Sequence, residues 1–217
     1  MGEPAMREEV AGVLLAGGLS RRMGGGDKSL RELGGRPILE HVLARVRPQV
    51  GALLLNTNGE AARFAQYGLP VLPDSVSGFA GPLAGILTGM EWAASVAPAS
   101  RWLASFACDA PFLPTNFVQA LLTVCEEAGA DLACAKSRGR SHPVFGLWRL
   151  DLRDDLRRAV VEEEVRKVDR WTTRYRLVEV DFPDLPSAAG PLDPFFNTNR
   201  PEDLLEAERY LETAAHG

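Results

Sequence analysis

The chain predicts an α/β fold built on a doubly wound, mostly parallel sheet with helices on both faces. Short apolar runs alternate with stretches of helical spacing, the order expected of βαβ units. Several runs end in glycine, asparagine or aspartate, the pattern of an open sheet with its ligand crevice at the strands' carboxyl ends. The length of 217 residues, with 46% hydrophobic and 24% charged residues, suits one soluble domain with a sizeable core. We divide it into a flexible N-terminal lead-in, 1–10, and one domain, 11–217.

The first run, Val13-Leu14-Leu15-Ala16, reads as a buried strand that empties into Gly17-Gly18. Arg21, Arg22, Gly24-Gly25-Gly26, Asp27, Lys28 and Arg31 follow, setting four cations against one carboxylate in a chain of net charge −5. Backbone N–H groups and cations concentrated on one loop suit a polyphosphate. Asp27 between Gly26 and Lys28 excludes a Walker A loop, and no register of the glycines gives G-x-G-x-x-G. A solvated glycine-rich turn is the bland alternative.

Pro37 suits the first position of a helix, and Ile38, Leu39, Val42, Leu43 and Val46 continue the helical spacing, with His41 off the stripe on the surface. Residues 52–55 read as a strand ending at Asn56, a candidate ligand contact; Asn58 reads equally well as a plain turn residue. Residues 69–72 form the next strand and lead to Asp74. From Leu83 the spacing turns helical, so Gly81-Pro82 marks a helix start able to face an anion or a base. Residues 102–107 are a further strand, and Asp109 just beyond it is the candidate metal ligand, its alternative being a turn or helix cap.

A helix from about 115 to 128 leads to a strand at 132–135. Ser141-His142-Pro143 precedes a strand at 144–148, where some antiparallel pairing is expected. Leu152, Leu156, Ala159 and Val160 mark one helix, Val165, Val168 and Thr172 a second, and Glu162-Glu163-Glu164 a solvated face. Val178, Val180 and Phe182 alternate as in a half-buried strand. Residues 182–194 hold four of the fifteen prolines and read as a loop.

Composition excludes several classes. The acidic balance argues against nucleic acid, and no apolar run approaches membrane-spanning length. The N-terminus lacks an apolar secretory core. The three cysteines, Cys108, Cys125 and Cys134, have no metal spacing and suit reduced thiols in the cytoplasm; three scattered histidines suggest no zinc site.

Five segments in order, L-A-G-G-x-S-R-R-M-G-G-x-D-K, D-x-x-x-G-x-x-G-P-L-A-G, C-D-x-P-x-x-P, the His-Pro at 142–143 and F-x-N-x-N ahead of P-E-D-L, resemble the molybdenum cofactor guanylyltransferase family. The resemblance implies a Rossmann-like nucleotidyltransferase fold and a Mg2+-dependent transfer of GMP from GTP to molybdenum-loaded molybdopterin. It further implies exchange with upstream molybdenum-insertion and downstream molybdoenzyme-maturation proteins. It places Leu15, Ala16, Gly17, Gly18, Lys28, Asn56, Asp74, Gly81 and Asp109 at the nucleotide. Arg22, Lys28 and Asp109 become catalytic, Asp109 also holding the metal, and His142, Asn197 and Asn199 face the acceptor. Arg200 stands where the family has a threonine; a weaker helix cap, by about 1 kcal/mol, is expected unless Asn199 substitutes. Cytidylyl transfer and a non-catalytic GTP-binding adaptor are the rival readings. Against the first, relatives using CTP tend to read Leu-Ala-Ala-Gly at 15–18 and lack Gly-Pro-Leu-Ala-Gly.

Overall fold

Val10, Ala11, Val13 and Leu14 are all fully buried in a computed structural model that describes residues 7–16, 28–78, 81–187 and 189–214. They belong to β1 (Val10–Leu15), which is apolar on both faces because it runs through the middle of the sheet. The other strands are β2 (Glu32–Leu33), β3 (Arg36–Pro37), β4 (Ala52–Asn56), β5 (Val71–Leu72), β6 (Trp102–Ala107), β7 (Leu132–Ser137), β8 (Arg140–Arg149) and β9 (Leu177–Asp181). The main sheet runs β5-β4-β1-β6-β8-β7-β9, and β2 and β3 form a small antiparallel pair outside it. Only β8 opposes its neighbours; β1 pairs in parallel with both β4 and β6.

Two apolar layers cover the sheet. On one face α1 (Ile38–Val46), α3 (Phe117–Ala128) and α6 (Pro201–Ala214) pack over Val10, Leu14, Leu55 and Phe106. On the other, α2 (Pro82–Val96), α4 (Arg153–Val161) and α5 (Val168–Thr172) cover Ala11, Val13, Leu54 and Leu103. Alternate residues of β1 thus enter different cores, as a strand's period of two requires. Phe117 anchors the first layer, with ring centroids 5.4 Å from Phe106, 5.6 Å from Phe182 and 6.0 Å from Phe195. The predicted parallel-dominated, two-sided α/β architecture is the one observed, including the antiparallel minority.

Several boundaries differ for identifiable reasons. The lead-in expected over 1–10 overlaps the sheet: β1 begins at Val10, Glu9 O accepts from the N–H groups of Arg101 and Trp102, and Arg7 Nε donates to Val50 O at 2.8 Å. Residues 1–6 lie outside the described residues. Pro37 ends β3 and precedes α1 instead of opening it. His41 is half-buried, with Nε2 2.9 Å from Leu33 O, so it ties α1 to β2 and is not a free surface residue. Helix α3 starts at Phe117, two residues late, where Gln49 Oε1 accepts from Val118 N–H and Gln49 Nε2 donates to Pro114 O.

Helix α2 sits close to the sheet, and glycine permits it. A Cβ at Gly89 would stand 2.9 Å from Val13 Cβ and 3.0 Å from Leu103 Cδ2. Glycine to alanine inside an exposed helix normally stabilises by about 1 kcal/mol. Here the sign reverses: Gly89→Ala is expected to destabilise by about 1–3 kcal/mol through overpacking. The check is a lower urea midpoint at unchanged slope; an unchanged or higher midpoint would contradict the close approach.

Candidate functional site

Parallel pairing puts the carboxyl ends of β4, β1 and β6 on one edge, with Leu15 in register with Asn56 on one side and Ala107 on the other. Asp74 follows β5 by two residues and Asp109 follows β6 by two. Because β8 runs the other way, its first residues, His142 among them, reach the same edge. With strands about 4.8 Å apart, Asn56 and Ala107, two residues before Asp109, stand about 10 Å from each other, a span on the scale of a nucleotide.

At the β4–β5 side the polar groups form one cluster. Asn56 Nδ2 donates to Asp74 Oδ1 at 3.1 Å and to Leu72 O at 3.3 Å. Asn58 Nδ2 donates to Asp74 Oδ2 at 2.8 Å, while Asp74 N–H donates back to Asn58 Oδ1 at 2.9 Å. Asn56 is buried and its amide N–H groups are directed to these two acceptors, so it braces Asp74. Each oxygen of Asp74 holds one amide and retains acceptor capacity. Asn58, which the sequence left undecided, is its reciprocal partner.

Helix α2 delivers its N-terminus to this edge. A Cβ at Gly85 would lie 2.5 Å from Asn56 Oδ1 and 2.6 Å from Leu15 Cδ2, so the first turn rests directly on the ends of β1 and β4. Gly81, the residue before the helix, has φ +146°, which an L side chain rarely adopts. It supplies no side-chain cap, and the partial positive end of the helix macrodipole faces the edge. Leu15 and Ala16 use their backbone within the sheet: Ala16 N–H donates to Asn56 O at 2.9 Å, and Leu15 O accepts from Cys108 N–H. The Ala16 N–H and the Leu15 carbonyl are thus engaged within the sheet, and the Leu15 side chain lies against Gly85.

At the β6 side, Lys28 Nζ donates to Asn199 Oδ1 at 2.9 Å. Two residues assigned to different halves of the site are thus joined directly. Between them Thr198 binds Asp109 O through both its N–H, at 3.0 Å, and its hydroxyl, at 3.2 Å. Burial pushes the Asp109 carboxyl above its usual range, and the Lys28 charge opposes that rise. Asn197 Oδ1 is buried without a hydrogen-bond partner among the described residues.

His142 lies inside β8, not ahead of it. His142 faces Ala135 and Gly146 faces Cys134, so residues 143–145 are the surplus of a bulge. Pro143 fits there because a bulge needs no N–H from it. His142 Nε2 stands 2.7 Å from Ser137 Oγ, and its ring lies 4.8 Å from that of Phe195. Burial lowers its pKa, with Asp193 acting the other way.

Asp203 Oδ2 accepts from the N–H groups of Asn199 and Arg200, each at 2.8 Å, so a carboxylate at the third helical position closes the start of α6. These bonds do not reach the helix N–H groups that a side-chain oxygen at 200 would cap, and Asn199 Oδ1 is taken by Lys28. Gly17, Gly18 and Arg22 lie outside the described residues. Thr198, Ser137 and Asp193 escaped the sequence reading; the Asp-Pro pair at 193–194 was the available turn signal, and Phe195 N–H does donate to Asp193 Oδ1 at 2.9 Å.

Among the described residues no three His, Cys, Asp or Glu side chains come together as a metal cage. Asp109 alone, desolvated and beside one lysine, fits a hard cation that takes one or two protein carboxylates and fills its shell with water and phosphate oxygens. No disulfide joins the three buried cysteines, and burial pushes Cys125 and Cys134 up to about 12, so these two are core thiols. A cavity of about 560 Å³ lined by Arg101, Trp102, Cys125 and Arg149 lies at the opposite end of the sheet and contains none of these residues. No described helix is long and apolar enough to cross a membrane.

The raised Asp109 pKa has a signed consequence for stability. The folded state holds this proton at pH values where the unfolded chain has released it, so stability is lost as pH rises from the usual aspartate range through the folded value. In chelator, Asp109→Asn is therefore expected to melt a few °C higher than the parent at pH 7. The gain should vanish near pH 3, where both side chains are neutral; a lower melting temperature at pH 7 would contradict the desolvation.

Comparison with known proteins agrees with this fold. Residues 12–179 match the MobA-like NTP transferase domain family. The chain is 55% identical over 200 residues to a molybdenum cofactor guanylyltransferase of Bradyrhizobium sp. (strain ORS 278), covering 92% of each chain. It is 53% identical over 198 residues to one of Nitrobacter hamburgensis, covering 91% of this chain and 92% of that one. The fold matches the crystal structure of molybdopterin-guanine dinucleotide biosynthesis protein A from Archaeoglobus fulgidus with a TM-score of 0.69, at 23% identity over 93% of this chain and 98% of the other. The chain belongs to the molybdenum cofactor guanylyltransferase family of MobA-like nucleotidyltransferases.

Proposed function

We propose that the protein transfers GMP from GTP to the terminal phosphate of molybdenum-bound molybdopterin, giving the guanine dinucleotide form of the cofactor and pyrophosphate. The observation that carries this reading is the Lys28–Asn199 hydrogen bond beside Asp109, which joins the end of the polyphosphate loop to the closing asparagine motif. Names of relatives at 41–55% identity support the same reaction.

In this reading Asp74, held by Asn56 and Asn58, receives the base. Guanine offers two adjacent donors, N1–H and N2–H, to a carboxylate that only accepts when ionised. Cytosine presents one donor beside an acceptor, a poorer match. The α2 N-terminus after Gly81 and the segment Leu15, Ala16, Gly17, Gly18 line the nucleotide, while Arg22 and Lys28 neutralise phosphate charge.

A phosphate oxygen of the acceptor attacks the α-phosphorus, a new P–O bond forms, and the bond to the bridging oxygen breaks with its electron pair leaving on pyrophosphate. No proton need be removed, because a phosphate monoester is already ionised at neutral pH. The protein's work is alignment and charge stabilisation. Asp109 is the residue to hold a divalent metal, which we take to be Mg2+; the ion supplies further neutralisation of phosphate charge. His142, Asn197 and Asn199 face the acceptor. The buried thiols suit a cytoplasmic setting, and exchange with molybdenum-insertion and molybdoenzyme-maturation proteins belongs to the same reading.

Titration calorimetry with Mg2+ tests the nucleotide assignment: GTP is expected to bind well above CTP. Preference for CTP would move the protein to cytidylyl transfer. Lys28→Ala should weaken GTP binding about tenfold or more, the cost of a charge-assisted hydrogen bond. Asp109→Asn should abolish pyrophosphate release while the protein still melts cooperatively. GTP binding by the parent protein without pyrophosphate release, with acceptor present, would favour the adaptor.

A further inference from the structure

Three side chains from separate segments line up beside the acceptor end of the site. His142 Nε2 lies 2.7 Å from Ser137 Oγ, and Ser137 Oγ lies 2.8 Å from Asp193 Oδ1. The proton positions follow from counting. An ionised carboxylate can only accept, and a serine hydroxyl has one proton, so that proton goes to Asp193. Ser137 Oγ must then accept, and the hydrogen between it and the imidazole belongs to His142 Nε2. Burial favours the neutral ring. A neutral imidazole protonated at Nε2 has Nδ1 as a hydrogen-bond acceptor.

The order of the three groups excludes a nucleophilic role. In a hydrolytic triad histidine stands between serine and the carboxylate and takes the serine proton. Here serine is the middle member, only 1% exposed, with its proton turned to the aspartate. The arrangement orients; it does not activate a nucleophile.

Asp193 has a second task. The oxygen that accepts from Ser137 also accepts from Phe195 N–H at 2.9 Å, and Phe195 carries the ring 4.8 Å from that of His142. Three and four residues further on, Thr198 is fixed to Asp109 O and Asn199 to Lys28. The segment 193–199 is thus pinned at both ends across the sheet edge. Between the pins lies the unpartnered, buried Asn197 Oδ1, a second acceptor atom.

We propose that Ser137 and Asp193 are positioning residues for the acceptor substrate: they hold His142 in the Nε2–H form, leaving Nδ1 to receive a hydrogen bond, and they seat the segment that carries Asn197 and Asn199. The proposal rests on the assignment of these residues to the acceptor side. Two protein acceptor atoms call for a ligand edge rich in N–H donors, which the aminopyrimidinone ring of a pterin supplies.

The chain has only three histidines, so its ¹⁵N-histidine spectrum can be assigned with His41 and His216 variants. The parent protein is expected to have His142 as a single Nε2–H tautomer, and Ser137→Ala to have a mixture of both. In steady-state assays with molybdopterin, Ser137→Ala and Asp193→Ala should raise the acceptor KM about tenfold, with the GTP KM and kcat at saturating acceptor nearly unchanged. Asp193→Asn, which retains the acceptor oxygen, should recover most of the loss. A parent tautomer protonated at Nδ1, or an unchanged acceptor KM in Ser137→Ala while His142→Gln raises it, would overturn the positioning role alone. An unchanged acceptor KM in His142→Gln would overturn the acceptor-side assignment and this proposal with it.

Discussion

The parallel pairing of β1 with β4 and β6 is the constraint on which the rest of the molecule depends. Parallel neighbours bring their carboxyl ends to one edge, so a polar residue placed just after each strand lands in the same row. Asn56, Leu15 and Asp109 are far apart in the chain and are brought to one row by this means, and Asp74 joins them through the parallel pair of β5 with β4. The strands can be apolar throughout because helices cover both faces, which concentrates the chemistry at the edge.

That edge is completed by close approach and by pinning. Without a side chain at Gly85 and Gly89, α2 lies against Val13, Leu15 and Asn56, bringing its N-terminus to the strand ends. From the other direction, segment 193–199 crosses the edge and is fixed to Asp109, Lys28 and Ser137. The first device supplies a fixed positive end with no charged side chain. The second joins Lys28 to Asn199, the residues proposed for the phosphate and acceptor halves of the site, through a hydrogen bond.

The fold was legible because its signals are local and periodic. Apolar runs of strand length, helical stripes such as Ile38, Leu39, Val42, Leu43 and Val46, and the Gly81-Pro82 helix start each carry their physical reason within a few residues. Asp109, Asp74 and Asn56 were legible as residues at strand ends. Ser137, Asp193 and Thr198 were not, because their meaning lies in partners 56 and 89 residues distant and no local pattern encodes such a pair. His41 failed for a related reason: its off-stripe position is correct, yet the β2–β3 pair folds over it and provides Leu33 O. His142 was misplaced because Pro143 normally argues against strand interior, and only the bulge opposite Cys134 and Ala135 removes that objection.

Asp109 illustrates how stability and chemistry compete at this edge. Its carbonyl oxygen holds Thr198, so the residue already has a structural task that its carboxylate does not share. The carboxylate itself is desolvated, with Lys28 as the charge that opposes the penalty. A neutral side chain would be better tolerated by the fold, since burying an ionised group without a full set of partners is costly. In the proposed reaction the carboxylate provides instead a strong oxygen ligand where phosphate charge would be neutralised. Lys28 does not remove the penalty: desolvation outweighs its charge, and the Asp109 carboxyl stays above its usual range. In the proposed reaction this unrelieved part favours entry of a cation with the substrate, since a desolvated carboxylate with few other partners attracts a divalent ion more strongly.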